Sequence, residues 1–167
     1  MALTIRPARV GDGARIAEIH NGIIRDTVIT FTTEERTGAA LDARLAGGAH
    51  FWVAEAAGCV AGFATIFPFR QGPGYAHTFE HTIIVEPGTR GQGSGRALMH
   101  AVEAGARAAG GHSLMAGVSA ENAAGVAFHA RLGFVEVARL REVGWKFGRW
   151  HDLVLMQKFL SAPETGL

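Results

Sequence analysis

Leu3-Thr4-Ile5-Arg6 alternates apolar and polar side chains, the period of a half-buried strand, and Pro7 closes it. The spacing then changes to three and four. Ile16, Ile19 and Ile23, with Ile24 beside them, line one face of a helix that Asp12 can cap. Thr32 or Thr33 can cap a second helix running to about residue 45, where Gly47-Gly48 ends it. Residues 51–54 and 60–67 read as strands joined at Ala57-Gly58, and 69–75, with two glycines and Pro73, reads as a loop. A further strand over 78–85 sets Glu80, Thr82 and Ile84 on one face and His81, Ile83 and Val85 on the other. The spacing of Leu98, Val102 and Ala106 predicts a long helix over about 94–109. A short strand at 114–118, a short helix at 122–132 stopped by Gly133, and strands at 134–140 and 152–159 complete the pattern. Together these predict one α+β domain over residues 1–160 with a mixed, partly parallel sheet, followed by a tail at 161–167 expected to fray.

Composition narrows the function more than the fold. The chain has 167 residues, 48% hydrophobic and 19% charged, which suits a packed domain with a sizeable core. Sixteen basic and fifteen acidic side chains leave a net charge of +1, so the basic excess of a nucleic-acid binder is missing. No apolar run approaches the ~18 residues of a membrane span and the first residues lack signal-peptide architecture, which predicts a cytoplasmic protein. The lone cysteine, Cys59, excludes an internal disulfide. His77 and His81 share a strand face but stand about 13 Å apart along it, and no other histidine pair has ligand spacing, so no metal is expected.

The 23 glycines are about twice the usual share, and they concentrate where the chemistry can be read. In Arg90-Gly91-Gln92-Gly93-Ser94-Gly95-Arg96 three glycines separate a predicted strand from the start of a predicted helix. Without Cβ atoms, successive N–H groups can turn toward one point. The unpaired amides of the helix N-terminus favour an anion there, and Arg90 and Arg96 add charge. A dinucleotide fingerprint needs glycine where Arg96 stands, and the Gly-Lys-Ser/Thr of a P-loop is absent. The cradle suits a pyrophosphate.

The pattern Arg90-x-x-Gly93-x-Gly95 resembles the acetyl-coenzyme A motif of the GNAT N-acetyltransferases. Asn122 opening a helix that Arg131-Leu132-Gly133-Phe134 closes resembles their second signature. Most of the chain is similar to the phosphinothricin/methionine sulfone N-acetyltransferase subgroup. The similarity is carried by Phe69-Arg70, by Tyr75 to His81, by Ala120-Glu121-Asn122, by His129 to Phe134, and by Val143 to Asp152 with its Lys146-Phe147-Gly148-Arg149-Trp150 core. Two positions depart from that subgroup: Ile84 stands for an aromatic residue and Gly125 for a serine.

The resemblance implies the GNAT fold, about six to seven strands with about four helices, and direct transfer of acetyl from acetyl-CoA to the amine of a small amino acid or analogue. It implies a homodimer, with the 145–150 segment near both site and interface, and no nucleic-acid or membrane partner. Acetylation of a protein N-terminus or a polyamine, and a non-catalytic CoA-binding module, are the competing readings. Glu80, a carboxylate amid an apolar strand, is the candidate base; a salt bridge to His77 or Arg70 is the alternative. His129 occupies the position where many of these enzymes carry a tyrosine acid, and it is expected either to donate a proton or to contact the cofactor. The backbone of Ile83-Ile84-Val85 is expected to bind the pantetheine, one of its N–H groups serving the oxyanion, and Asn122 to bond pantetheine amides or only cap its helix. The resemblance implies that Arg70 holds the substrate carboxylate; pairing with Glu55 or Glu86 is the alternative. Phe31 and Tyr75 are expected pocket walls or plain core.

Overall fold

The computed structural model describes residues 3–160, so the tail expected to fray lies outside the described residues. One sheet of seven strands runs in the order β1-β2-β3-β4-β5-β7-β6. Strands β1 (Leu3–Pro7), β2 (Phe51–Ala56), β3 (Cys59–Pro68) and β4 (Thr78–Val85) pair antiparallel in sequence. The β2–β3 turn places Ala57 and Gly58 at φ 52° and 78°, the two-residue geometry whose twist matches paired strands.

Helix α1 (Gly13–Asp26) buries Ile16, Ala17, Ile19 and Ile24, while Ile23 is only partly covered. Asp12 stands at the N-cap position but does not cap. Arg6 takes both carboxylate oxygens at 2.8 and 3.0 Å, and the Arg9 N–H donates to one of them. The acceptor is supplied from outside, by Asp42, whose Oδ1 takes the N–H groups of Gly11 and Gly13. Helix α2 (Gly38–Ala46) starts later than either threonine predicts, because the cap is Thr37, bonded to the Ala40 N–H at 3.2 Å. Thr32 instead accepts the N–H of Glu34, a local bond that competes with helix formation. The segment between α1 and α2 is therefore a loop, and the buried Lys146 ammonium pins it by donating to the carbonyls of Thr27 (2.7 Å) and Thr30 (2.9 Å).

Two apolar layers sandwich the sheet. Helix α3 (Ser94–Ala108) packs on β1–β4 and buries Leu98, Met99, Val102 and Ala106 in one cluster with Ala54, Ala64 and Ile66 on one face. Each of the larger aliphatic side chains, Leu98, Met99 and Val102, stabilises by about 1.5–3 kcal/mol relative to exposure. Helices α1 and α2 cover the other face through Ile16, Leu41, Phe51, Phe63 and Ile84. Neighbours Val53 and Ala54 fall into opposite clusters, as the strand period of two requires.

The feature that makes a site is the parting of β4 from β5 (Ser113–Ser119). They are the one parallel pair among the described residues, and pairing covers only Thr78–Glu80 against Ser113–Met115. Beyond Glu80 the strands diverge, and helix α4 (Ala123–Arg131) lies beyond the gap. The last strands, β6 (Val135–Lys146) and β7 (Arg149–Phe159), are longer than their apolar patterns predict. The 145–150 segment is a hairpin turning at Phe147-Gly148, φ 52° and 72°, with a register shift around Glu142 that Asp152 stabilises by accepting its N–H. No helix among the described residues is long and apolar enough to cross a membrane.

Candidate active site

Two cavities open on either side of the β4–β5 gap. One, of about 470 Å³, lies under α1, α2 and the 29–32 loop; Glu80, His81, Phe31 and Thr65 are in its wall. The other, of about 490 Å³, runs from Val85 past Arg90, Gly91, Gly93, Ser94, Gly95 and Arg96 to α4. Ile83, Ile84, Asn122 and His129 line both. A molecule in one cavity and a molecule in the other therefore meet at these residues.

Glu80 is half-buried in the first cavity and makes no hydrogen bond or ion pair among the described residues. The expected partners are engaged elsewhere: His77 Nδ1 contacts the Gly110 carbonyl at 2.6 Å, and Arg70 stands exposed. Burial alone pushes the Glu80 carboxyl above its ordinary range. Its Oε1 lies over Gly117, where a Cβ would come within 3.0 Å, so the absence of a side chain at 117 makes room for the carboxylate. An unpaired carboxylate of raised proton affinity, facing a cavity, is a proton acceptor.

The second cavity holds the glycine turn. Gly91 and Gly93 sit at φ 80° and 85°, and Gly93 occupies the N-cap position of α3 with no side chain capping the helix. The first-turn amides are thus left for an incoming anion. Gly95 serves differently from expectation. Its φ is not positive, and a Cβ would approach the Phe128 ring at 3.1 Å, so its smallness seats α4 against the start of α3. Ser94 is buried with its hydroxyl donated to the Thr89 carbonyl, and Gln92 is outside the cavity wall. Arg131, which the sequence marks only as part of the signature closing its helix, joins Arg90 and Arg96 in the lining.

At the junction Asn122 caps α4, its Oδ1 accepting the Gly125 N–H at 3.0 Å. A Cβ at Gly125 would fall 2.4 Å from the Asn122 side chain, so the glycine in place of serine makes space for this cap. His129 is buried, with Nδ1 2.8 Å from the Gly125 carbonyl and Nε2 2.9 Å from Nε2 of His81. Burial lowers the proton affinity of both rings, His81 down to about 3. Beyond Glu80, the edge of β4 facing β5 is unpaired, so the backbone of residues 82–85 is open to a ligand in the gap.

On the substrate side the structure redistributes the expected residues. Phe31 lines the first cavity and stacks on His151 at 5.4 Å, its ring lying where a Cβ on Gly144 would fall. Tyr75 and Arg70 do not reach the cavity wall: both are exposed on or beside the 69–77 loop, the Arg70 guanidinium 5.5 Å from the Phe69 ring. Nor does Arg70 pair with Glu55 or Glu86, which Arg6 and Arg15 take. The guanidiniums in the wall are Arg36 and Arg44. Burial, with their charges adding to it, holds the His20 imidazole down to about 4. Nothing in their spacing marks them; α2, packed on α1, carries Arg44 to the cavity, and the loop before it carries Arg36.

Comparison with known proteins agrees with this geometry. A family model described as Acetyltransferase (GNAT) family matches residues 17–134. An L-amino acid N-acyltransferase of Escherichia coli is 38% identical over 93% of this chain and 92% of its own. An L-methionine sulfoximine/L-methionine sulfone acetyltransferase of Salmonella typhimurium is 38% identical over 98% of this chain and 99% of its own. Among solved structures, a GNAT superfamily phosphinothricin acetyltransferase of Sinorhizobium meliloti in complex with acetyl-CoA superposes with a TM-score of 0.88 at 28% identity, covering 100% of this chain and 96% of that one.

Proposed function

Because the chain belongs to the acetyltransferase (GNAT) family, we propose that it moves the acetyl group of acetyl-CoA onto the α-amine of a small amino acid or analogue of the methionine sulfone, methionine sulfoximine or phosphinothricin type. The observation that carries this reading is the meeting of the two cavities at Ile83, Ile84, Asn122 and His129. The glycine turn, Arg90, Arg96 and Arg131 hold the diphosphate end of the donor. The open edge of β4 runs the pantetheine toward the gap, and a backbone N–H of Ile83 or Ile84 serves the oxyanion. Glu80 removes a proton from the substrate ammonium. An α-amine near pKa 8 is mostly charged at neutral pH, but freeing it costs only about 1.4 kcal/mol, so a modest base suffices. The nitrogen then attacks the thioester carbonyl directly within one ternary complex.

The substrate's carboxylate falls to Arg36 and Arg44, because they and not Arg70 share a cavity with Glu80. Two cations in the wall also disfavour a polyamine. Thiol release from acetyl-CoA, measured against methionine sulfone, methionine sulfoximine, phosphinothricin, a peptide and a polyamine, is the test, and the first three should turn over. In the same assay Arg36→Met or Arg44→Met should raise the amino-acid KM by about tenfold or more, the loss of a charge-assisted bond. Preference for the peptide, or an unchanged KM in both variants, would contradict this assignment.

We place the enzyme in the cytoplasm as a homodimer. The free, exposed Cys59 fits a reducing compartment. Val135, Val137, Val143, Trp145, Phe147 and Trp150 are all exposed on the β6–β7 hairpin, more large apolar surface on one hairpin than a lone protomer commonly leaves in water. Sedimentation equilibrium should give twice the 17.6 kDa chain mass, and Trp145→Glu should shift it to the monomer. A monomeric parent protein rules the dimer out.

A further inference from the structure

The stretch between α1 and α2 builds much of the first cavity: Ile29, Thr30, Phe31, Thr32 and Arg36 are in its wall. Yet residues 28–36 make no backbone-to-backbone hydrogen bond among the described residues. Neither helix nor strand fixes the path of this wall, so side chains must. At its far end Asn21 clamps Arg36, accepting its N–H at 2.8 Å and donating to its carbonyl at 2.9 Å. The hydroxyls of Thr27 and Thr32 accept the N–H groups of Ile29 and Glu34, but these bonds stay within the segment and tie it to nothing else. At Thr30 and Phe31 the ties come from the tip of the β6–β7 hairpin.

The strand period of two turns Gly144 and Lys146 inward while Val143 and Trp145 stand in solvent. Lys146 is 1% exposed, and its ammonium donates to the carbonyls of Thr27 at 2.7 Å and Thr30 at 2.9 Å. Thr27 is the C-cap of α1, so the cation also meets the negative end of that helix. Both bonds run to carbonyls and neither to a carboxylate. An apolar side chain of the same length would fill this space without the cost of burying a charge. What the ammonium adds is direction: it fixes where two carbonyls of the loop stand. Phe31 is seated by the same hairpin. Gly144 has no Cβ to overlap its ring, and His151 stacks on it at 5.4 Å with Nε2 2.9 Å from the Lys146 carbonyl. On the opposite side Arg149 pairs with Glu121 at 2.8 Å, next to Asn122 at the junction of the cavities. One hairpin tip thus braces both edges of the cavity that holds Glu80.

We propose that Lys146 is a positioning residue for the amine substrate: through its two carbonyl bonds it shapes the 28–32 wall of the first cavity, and acceptor affinity depends on it while donor affinity does not. That the first cavity takes the amine rests on the acyl-transfer reading above; the bracing of the loop does not. Lys146 is outside the cavity wall and touches neither substrate, so it acts only through Thr30 and Phe31. The second cavity shares Ile29 with this segment but draws its anion-binding groups from the glycine turn and α4, far along the chain from the hairpin's contacts. Loss of the brace therefore loosens one binding site and spares the other.

Lys146→Met keeps the apolar stem and removes both bonds. In the full-length protein it should raise the KM for methionine sulfone about tenfold or more and leave the acetyl-CoA KM within about threefold. An acceptor KM within about threefold of the parent, or a donor KM that rises in step with it, overturns the proposal. A double-mutant cycle adds a readout that general loosening would not give. Phe31→Leu should raise the acceptor KM in the parent but add much less in the Lys146→Met background, because the ring is already unseated there. Fully additive effects would mean that Lys146 does not act through this wall. If Lys146→Met does not fold, Gly144→Ala decides, since its Cβ displaces the Phe31 ring while both ammonium bonds remain; it should give the same split between the two KM values. A parent protein that releases no thiol with any amine would overturn the acyl-transfer reading instead. The brace is then judged by chymotrypsin cleavage after Phe31, mapped by mass spectrometry, which Lys146→Met or Gly144→Ala should speed about tenfold; an unchanged cleavage rate sinks it.

Discussion

Glu80→Gln should lower kcat by about 10²–10⁴ at neutral pH, leave acetyl-CoA binding unchanged by calorimetry, and unfold no more easily than the parent. The three outcomes belong together because they share one cause. The Glu80 carboxylate has given up water without gaining a partner, so burial raises its proton affinity. For an acid whose folded value lies above its unfolded one, ionisation costs stability at every pH above the unfolded value. A neutral amide of the same shape removes that cost. A structural salt bridge would behave oppositely, losing stability with the charge. The same shift sets the pH profile. Glu80 works as a base only when ionised, so kcat should fall as pH drops through a value above the ordinary glutamate range, and this acid limb should vanish in the variant. A folded Glu80→Gln enzyme with undiminished kcat would remove Glu80 from the chemistry.

What could be read from the residues themselves followed periodicity. The strand 78–85 and the long helix after the glycine turn have the expected bounds to within a residue, because apolar spacing there continues unbroken to a glycine or proline stop. The cap of α2 was misplaced because three threonines compete within six residues, and only tertiary contacts choose Thr37. The hairpin at 147–148 is hidden because β6 is solvent-facing over most of its length and neither β6 nor β7 carries a clean alternation toward the turn. The site divides in the same way. Glu80 and the glycine turn are local anomalies, a charge in an apolar run and a cluster of small residues, and both can be seen without the fold. His81 is 48 residues from His129, and Arg36 and Arg44 reach the cavity only through the packing of α2 and the loop before it, so no spacing in the chain announces either group. Arg70 shows the converse: a resemblance transfers a role to a position, but the loop that carries it stands outside the wall of this cavity.

Gly93→Asp should bind acetyl-CoA roughly ten- to a hundredfold more weakly than Gly93→Asn, while melting at the same temperature or higher. Both substitutions place a side chain on a residue at φ 85°, a region that asparagine and aspartate tolerate best among non-glycine residues, and nothing lies within 4 Å of the new Cβ. Backbone strain is therefore common to both and cancels in the comparison. What differs is charge at the N-cap position of α3, where no side chain now satisfies the helix amides. Aspartate there supplies the anion that the diphosphate would otherwise bring. It stabilises the helix end by about 0.3–1 kcal/mol and withholds charge-assisted bonds of about 1.5–3 kcal/mol from the ligand. Stability and affinity should thus move in opposite directions, which a merely misfolded variant cannot do. Raising the salt concentration should narrow the gap between the two variants, because the repulsion is screened and the strain is not. Equal affinity of the two variants for acetyl-CoA would mean that the amides after Gly93 do not hold the diphosphate.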